Sequence, residues 1–182
     1  GLRLLRSGAA TLPHAQAEQL ARLFSAGSAH HEHLTVLPTY SMTECMPIAS
    51  PPVGYALDKP GSVGPPVGGL EVQIVHPTTG EPLPIGAQGE ITLHRGPQLF
   101  GGYEGHAPHG ASEGFRTGDL GCCDADGWIF HCGRLKECIN RGGELIAPAE
   151  VEMALYGAAT GLSSESLVVF SAPHADFAET VA

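Results

Sequence analysis

Glycine and proline punctuate this chain so often that its elements must be short. Twenty-five glycines and 15 prolines occur in 182 residues, which predicts many turns and excludes long helical bundles and coiled coils. Hydrophobic residues make up 42%, enough for a packed core and too many for a disordered chain. The length fits one domain, or one domain plus a piece of another.

Nine basic residues against 19 acidic ones give a formal net charge of −10. Binding nucleic acid by neutralising phosphates is therefore not expected. No apolar run reaches the roughly 18 residues that span a bilayer, and no charged segment followed by an apolar stretch marks a signal peptide. The five cysteines, an odd number, point to a reducing, cytoplasmic compartment, with an organelle lumen still open. Cys122, Cys123, Cys132 and Cys138 lack the spacing of a structural zinc site, so small buried or half-buried thiols are expected. His30-His31-Glu32-His33 is read as a solvated turn in preference to a metal site. The apolar start at Leu2 and the end at Ala182 without a polar tail give the chain the look of a piece of something longer.

The first fifty residues read β-α-β, the unit of a parallel α/β sheet. Leu2–Arg6 predicts a strand and Pro13 the first position of a helix. Ala17, Leu20, Ala21 and Phe24 form one apolar helical face ending near Gly27. Leu34–Leu37 predicts the second strand. Residues 47–69, with six prolines and five glycines, predict an irregular connection. Alternation at Val72 and Ile74 and at Ile91 and Leu93 predicts strands. Asp126-Gly127 predicts a hairpin between Leu120–Cys123 and Trp128–Cys132. This middle section reads as a small antiparallel sheet or barrel. Beyond Gly133, Pro148 opens a helix with Gly157 as its stop, and Leu167–Phe170 is a short apolar strand. The fold class is mixed α/β. Residues 1–133 form the end of a large domain, with 1–50 its β-α-β portion and 51–133 β-rich. Residues 134–147 form a hinge and linker, and 148–182 the start of a small α+β domain.

Three polar clusters lie beside these strands and are expected in turns. Tyr40-Ser41-Met42-Thr43-Glu44 sits at the carboxyl end of an apolar strand, where open α/β sheets bind ligands. Its hydroxyls suit a phosphate and its carboxylate a hard cation such as Mg²⁺. Alone, it equally fits a capped strand end. In Phe115-Arg116-Thr117-Gly118-Asp119, the Asp suits two vicinal hydroxyls, or its own backbone. The third cluster runs from Gly133-Arg134-Leu135-Lys136-Glu137 through Gly142-Gly143 to Pro148-Ala149-Glu150-Val151-Glu152. It offers two cations and a sharp bend, or a charged linker.

Together and in this order, the clusters resemble the adenylate-forming superfamily of acyl-CoA synthetases, aryl-CoA ligases, luciferases and peptide-synthetase adenylation domains. That family carries Tyr-Gly-x-Thr-Glu, Tyr-Arg-Thr-Gly-Asp and Gly-Arg-x-Lys-Asp-x-Ile-x-x-x-Gly-x-x-Ile-x-Pro-x-Glu-Val-Glu. Leu2–Pro13, Gly61–Gly69 and Gly89–Tyr103 resemble further stretches of the family, so the likeness covers essentially the whole chain. The resemblance implies an ATP-dependent, AMP-forming carboxylate ligase. Thr43 would meet the α-phosphate and Glu44 would bind Mg²⁺. Tyr40 would lie near the adenine, with Gly8, Ala9 and Ala10 lining that pocket and Ser41 beside the acyl path. Asp119 would hold the ribose, Arg134 would assist at ribose or phosphate, and Lys136 would be the hinge between two half-reactions. A small carboxylic acid becomes acyl-AMP, then passes to coenzyme A or to the phosphopantetheine of a carrier-protein domain.

Ser41 departs from the family's Gly, Phe115 from Tyr and Glu137 from Asp. The family's phosphate loop is not found ahead of Tyr40, nor a lysine after Lys136, so the chain reads as the middle of such an enzyme, inactive in isolation. The alternatives are a non-catalytic nucleotide- or partner-binding module of the same fold and a metal-binding module built on the cysteines and His30–His33.

Overall fold

Two parallel strands open the molecule. β1 (Leu4–Ser7) and β2 (Thr35–Pro38) pair in a computed structural model that describes residues 2–9, 11–26, 34–105, 114–158, 166–176 and 178–182. α1 (His14–Ala26) is the crossover that a parallel pair requires. Pro13 stands just before the helix, its carbonyl accepting the amides of Gln16 and Ala17 at 3.0 Å. Ala17 is buried with Leu34 and Val36, and Leu20 and Ala21 pack around them. Phe24, expected on the same face, is 49% exposed. A four-residue strand runs about 13 Å and a 13-residue helix about 20 Å, so the strand pair cannot cover the last helical turn.

β3 (Tyr40–Met42) and β4 (Cys45–Ala49) form a hairpin closed by Thr43 and Glu44, with Met42 opposite Cys45. β5 (Ser62–Gly64) emerges from the proline-rich stretch, which is thus less irregular than its composition predicts. Gly64 there has φ +90°, and a Cβ would fall 2.2 Å from the Pro51 nitrogen. Only glycine fits that approach.

β6 (Glu71–Val75), β7 (Gly89–Arg95), β8 (Phe115–Cys123) and β9 (Ile129–Arg134) complete an antiparallel sheet in the order β5-β9-β8-β7-β6. It is open, since its edge strands do not pair among the described residues, and so is not a closed barrel. Ile48, Leu70, Ile91, Leu93, Phe115 and Ile129 form its core. The β8–β9 turn contains the expected Asp126-Gly127, with Gly127 at φ +78°. Lys59 bridges Asp124 and Asp126 and lies 5.1 Å over the Trp128 ring, tying the loop before β5 to this turn.

A 3₁₀ turn at Leu135–Glu137 follows β9. Part of the stretch expected as linker then folds as a hairpin. β10 (Ile139–Arg141) and β11 (Glu144–Ile146) pair around Gly142-Gly143, both at positive φ. α2 (Pro148–Ala158) packs against β9. β12 (Ser171–His174) and β13 (Ala178–Val181) extend the hairpin to a four-stranded sheet, β11-β10-β13-β12.

Two expectations shift here. Gly157 lies inside α2 and does not stop it. Leu167–Phe170 is not a strand. Glu152 accepts the Val169 amide and Leu167 the Tyr156 hydroxyl, so the segment is tied to α2. Pairing with the chain end begins only at Phe170, opposite Ala182.

Among the described residues no helix is long and apolar enough to cross a membrane, and no three His, Cys, Asp or Glu gather to hold a metal. The five cysteines are free. His30–His33 and Ala10 lie outside the described residues.

Candidate functional site

The second polar cluster is not a turn but the first five residues of β8, and a bulge aims its carboxylate. Glu90 faces Leu120 and Thr92 faces Arg116, so two residue steps on β7 are matched by four on β8. Such bulges re-aim side chains. The extra residues fold around Gly118 at φ +72°. Thr117 donates to the Ile91 carbonyl at 2.7 Å and accepts the Asp119 amide at 3.1 Å. Buried Glu90 takes the Gly118 amide at 3.1 Å and the Arg116 Nε at 2.8 Å, with a second, shorter contact from Arg116 Nη2. Arg116 therefore anchors the bulge from behind, a role that its place in the motif does not reveal.

Asp119 ends this arrangement 1% exposed. Its Oδ2 accepts the Tyr40 hydroxyl. Its Oδ1 lies 3.0 Å from Arg134 Nη1 on the paired strand β9, outside hydrogen-bond geometry, and has no hydrogen-bond partner. Burial works against the carboxylate. Its polar contacts with His131 and Tyr40, and the charges of His131 and Arg134, outweigh burial and hold the carboxyl below its usual range. Burial first, then the Asp119 charge, pushes the Tyr40 hydroxyl far above the ordinary phenol range, so Tyr40 stays a donor.

Asp119 and Tyr40 line a cleft of about 300 Å³ with Ala9, Ser41, His131 and Arg134. Ala9 adopts φ +69° in the turn after β1, next to Gly8. The β3–β4 hairpin continues the cleft into a more open, polar basin of about 540 Å³ that shares Ser41 and Arg134 and adds Thr43, Glu44 and Arg116. Thr43 is exposed in the hairpin turn. Glu44 Oε1 accepts the Tyr103 hydroxyl, and Glu44 forms no ion pair among the described residues. The Glu44 carbonyl accepts the Phe100 amide at 2.8 Å, which fixes the turn against the segment before Tyr103. Lys136 stands apart on the 3₁₀ turn, exposed and without a hydrogen bond or ion pair among the described residues.

Seven expected residues thus meet around two joined depressions: Ala9, Tyr40, Ser41, Thr43, Glu44, Asp119 and Arg134. Gly8 adjoins them. Sequence reasoning missed Glu90, Tyr103 and His131 as parts of the site. The only available signal was that Glu90 and Tyr103 fall within the family-like stretch 89–103.

Residues 1–104 match the family model described as AMP-binding enzyme. The chain is 36% identical to an oxalate–CoA ligase of Arabidopsis thaliana, over 99% of this chain and 34% of that protein. It is 36% identical to a feruloyl-CoA synthase of an Amycolatopsis species, over 86% of this chain and 30% of that protein. ATP-bound MatB from Rhodopseudomonas palustris superimposes with a TM-score of 0.76 at 35% identity, over 98% of this chain and 34% of that chain. The chain belongs to the AMP-binding enzyme family, and it spans about a third of the length of these relatives.

Proposed function

We propose that this chain is the nucleotide-holding middle of an ATP-dependent, AMP-forming carboxylate ligase. The observation that carries this reading is the Asp119 carboxylate: deeply buried and anionic, with one oxygen ion-paired to Arg134 at 3.0 Å but without a hydrogen bond, beside a cleft that leads to the Thr43–Glu44 turn. A buried oxygen without a hydrogen bond costs stability that a ligand's donor can recover. Two vicinal ribose hydroxyls are suitable donors. Ala9 and Tyr40 then flank the adenine, with Gly8 beside Ala9 and Ala10 assigned to the same pocket from the motif alone, and the phosphates point towards the basin.

In the basin Thr43 offers its hydroxyl to the α-phosphate, while Arg134 stands at the junction between ribose and phosphate. Mg²⁺ fits Glu44: the carboxylate is a hard donor with no cation already on it, and one or two carboxylates plus substrate phosphates are the usual set for this ion. When bound, the ion neutralises phosphate charge and orients the leaving pyrophosphate. The protein's own groups position: Asp119 fixes the nucleoside, Thr43 the α-phosphate, and Ser41 the edge along which the carboxylate arrives.

The resulting acyl-AMP passes to a thiol. Relatives named as CoA ligases favour coenzyme A over a carrier phosphopantetheine. A small carboxylic acid is the substrate class. Residues 1–133 belong to the large domain and 148–182 to the small one, with Lys136 the pivot in the segment 134–147.

The test uses the full-length protein and follows carboxylate-dependent exchange of pyrophosphate into ATP. Asp119→Ala should mainly weaken nucleotide binding. Glu44→Ala should mainly lower the rate and shift the metal dependence. Parental rates in both variants would overturn the assignment.

A further inference from the structure

Glu44 stands in a hairpin turn, where a carboxylate can swing among rotamers, and a side chain outside the three clusters holds it. The Tyr103 hydroxyl donates to Glu44 Oε1. Among the described residues no hydrogen bond reaches the other oxygen, Oε2. Both Glu44 and Tyr103 line the polar basin.

The backbone leading to Tyr103 is stapled along β4. The Glu44 carbonyl accepts the Phe100 amide at 2.8 Å, and Cys45 bridges Leu99. Gln98 Nε2 donates to the Pro47 carbonyl at 3.2 Å and to the Val67 carbonyl at 2.7 Å. The ring is held as well. Tyr103 stands edge-on to Phe100, with centroids 4.9 Å apart at 69°, and Phe100 stands edge-on to Phe115, 5.2 Å apart at 81°. Edge-to-face contacts of this kind are favourable and directional. Phe115 belongs to the sheet core, and Phe100 packs against that core. Tyr103 itself is 49% exposed, so its ring contributes little burial. What the ladder of rings fixes is the direction of the hydroxyl. A tyrosine has few side-chain torsions, so holding it costs little entropy.

We propose that Tyr103 is a positioning residue for Glu44: its hydroxyl fixes one carboxylate oxygen and leaves the other available to the cation of the nucleotide. The inference rests on reading Glu44 as the Mg²⁺ ligand. Mg²⁺ demands near-ideal octahedral geometry, and carboxylates that ligate metals are themselves held by outer hydrogen bonds. Phe115 opens β8, the strand that also carries Asp119. The ladder Phe115–Phe100–Tyr103 therefore refers the metal carboxylate and the nucleoside carboxylate to the same strand.

The test measures binding to the full-length protein by titration calorimetry. The probe is an ATP analogue whose α–β bridge is a methylene, so it cannot release pyrophosphate. Its affinity is taken with excess Mg²⁺ and with a chelator, and the ratio is the gain that the metal confers. In Tyr103→Phe, which keeps the ring and removes the hydroxyl, that ratio should fall by about 10–100-fold, the usual cost of losing an outer partner of a metal ligand. Adenosine and the metal-free analogue should bind as they do to the parental protein, which also shows that the variant is folded. In pyrophosphate exchange, the rate lost at low Mg²⁺ should return at high Mg²⁺. An unchanged ratio in Tyr103→Phe beside a reduced one in Glu44→Ala overturns the role of Tyr103 and leaves Glu44 as the ligand. Weaker adenosine binding in Tyr103→Phe also overturns it, since the hydroxyl then supports the site at large. An unchanged ratio in Glu44→Ala overturns the metal assignment and this inference together.

Discussion

Tyr40 shows how one hydroxyl serves both packing and charge. Its ring is part of the sheet core, and its oxygen is bonded to a carboxylate that water barely reaches. Tyr40→Phe keeps the ring and leaves Asp119 Oδ2 without its donor. A hydrogen bond to a charged acceptor contributes about 1.5–3 kcal/mol, so denaturant unfolding of the full-length variant at pH 7 should show a loss of that size. The pH dependence follows from the depressed carboxyl. Stabilisation of charged Asp119 is complete above its unfolded pKa of about 3.9 and is lost as pH falls through the lower folded value. The gap between Tyr40→Phe and parent should therefore be full at pH 7 and narrow below about pH 4. A gap that is constant across this range would show that the hydroxyl does not act through the Asp119 charge. The identity of Asp119 as a candidate was legible in its motif. The identity of its donor was not, because 79 residues separate them and only the docking of the β3–β4 hairpin on β8 brings them together.

At the scale of elements, the β7–β8 pair is the device that presents the site. Glu90 holds the bulge through Arg116 and the Gly118 amide, and those contacts are what keep Asp119 turned into the cleft. Glu90→Ala should cost about 2–3 kcal/mol, less than the 3–5 of a fully buried pair because Arg116 is 44% exposed and screened by solvent. Nucleotide affinity should fall at least about tenfold as the bulge relaxes, a factor that corresponds to 1.4 kcal/mol. Glu90→Gln retains an acceptor for Gly118 and should lie between. Calorimetric binding of ATP beside an unfolding curve checks both; an affinity loss no greater in Glu90→Ala than in Glu90→Gln would deny the bulge its positioning role. Alternating residues made these strands readable. The bulge was not readable, since it exists only as a mismatch between two strands.

For the whole molecule, the pivot proposed at Lys136 makes a prediction of its own. The 3₁₀ turn carrying Lys136 joins a strand of the five-stranded sheet to a hairpin of the four-stranded one. Few contacts restrain its exposed side chain, which is what a pivot needs. Proline at 136 would fix φ near about −65° and push Leu135 out of its helical turn. In the full-length protein, Lys136→Pro should leave acyl-AMP formation largely intact and slow transfer to the thiol. Single-turnover rates of the two half-reactions make the comparison. Equal losses would point to general damage, and no loss in either would place the pivot elsewhere.

The sequence by itself determined the turns, the β-α-β start, the alternating strands and the three clusters, because glycine, proline and hydrophobic period act over a few neighbouring residues. It also determined the family, because the motifs are contiguous. Only the tertiary structure decided which way the clusters face. It paired Arg116 with Glu90, left one oxygen of Asp119 without a hydrogen bond, brought His131 and Tyr103 to the site, and exposed Phe24. Each of these depends on strand register and on what lies beneath an element. Register and cover are set by contacts between residues far apart in the chain, which no local pattern encodes.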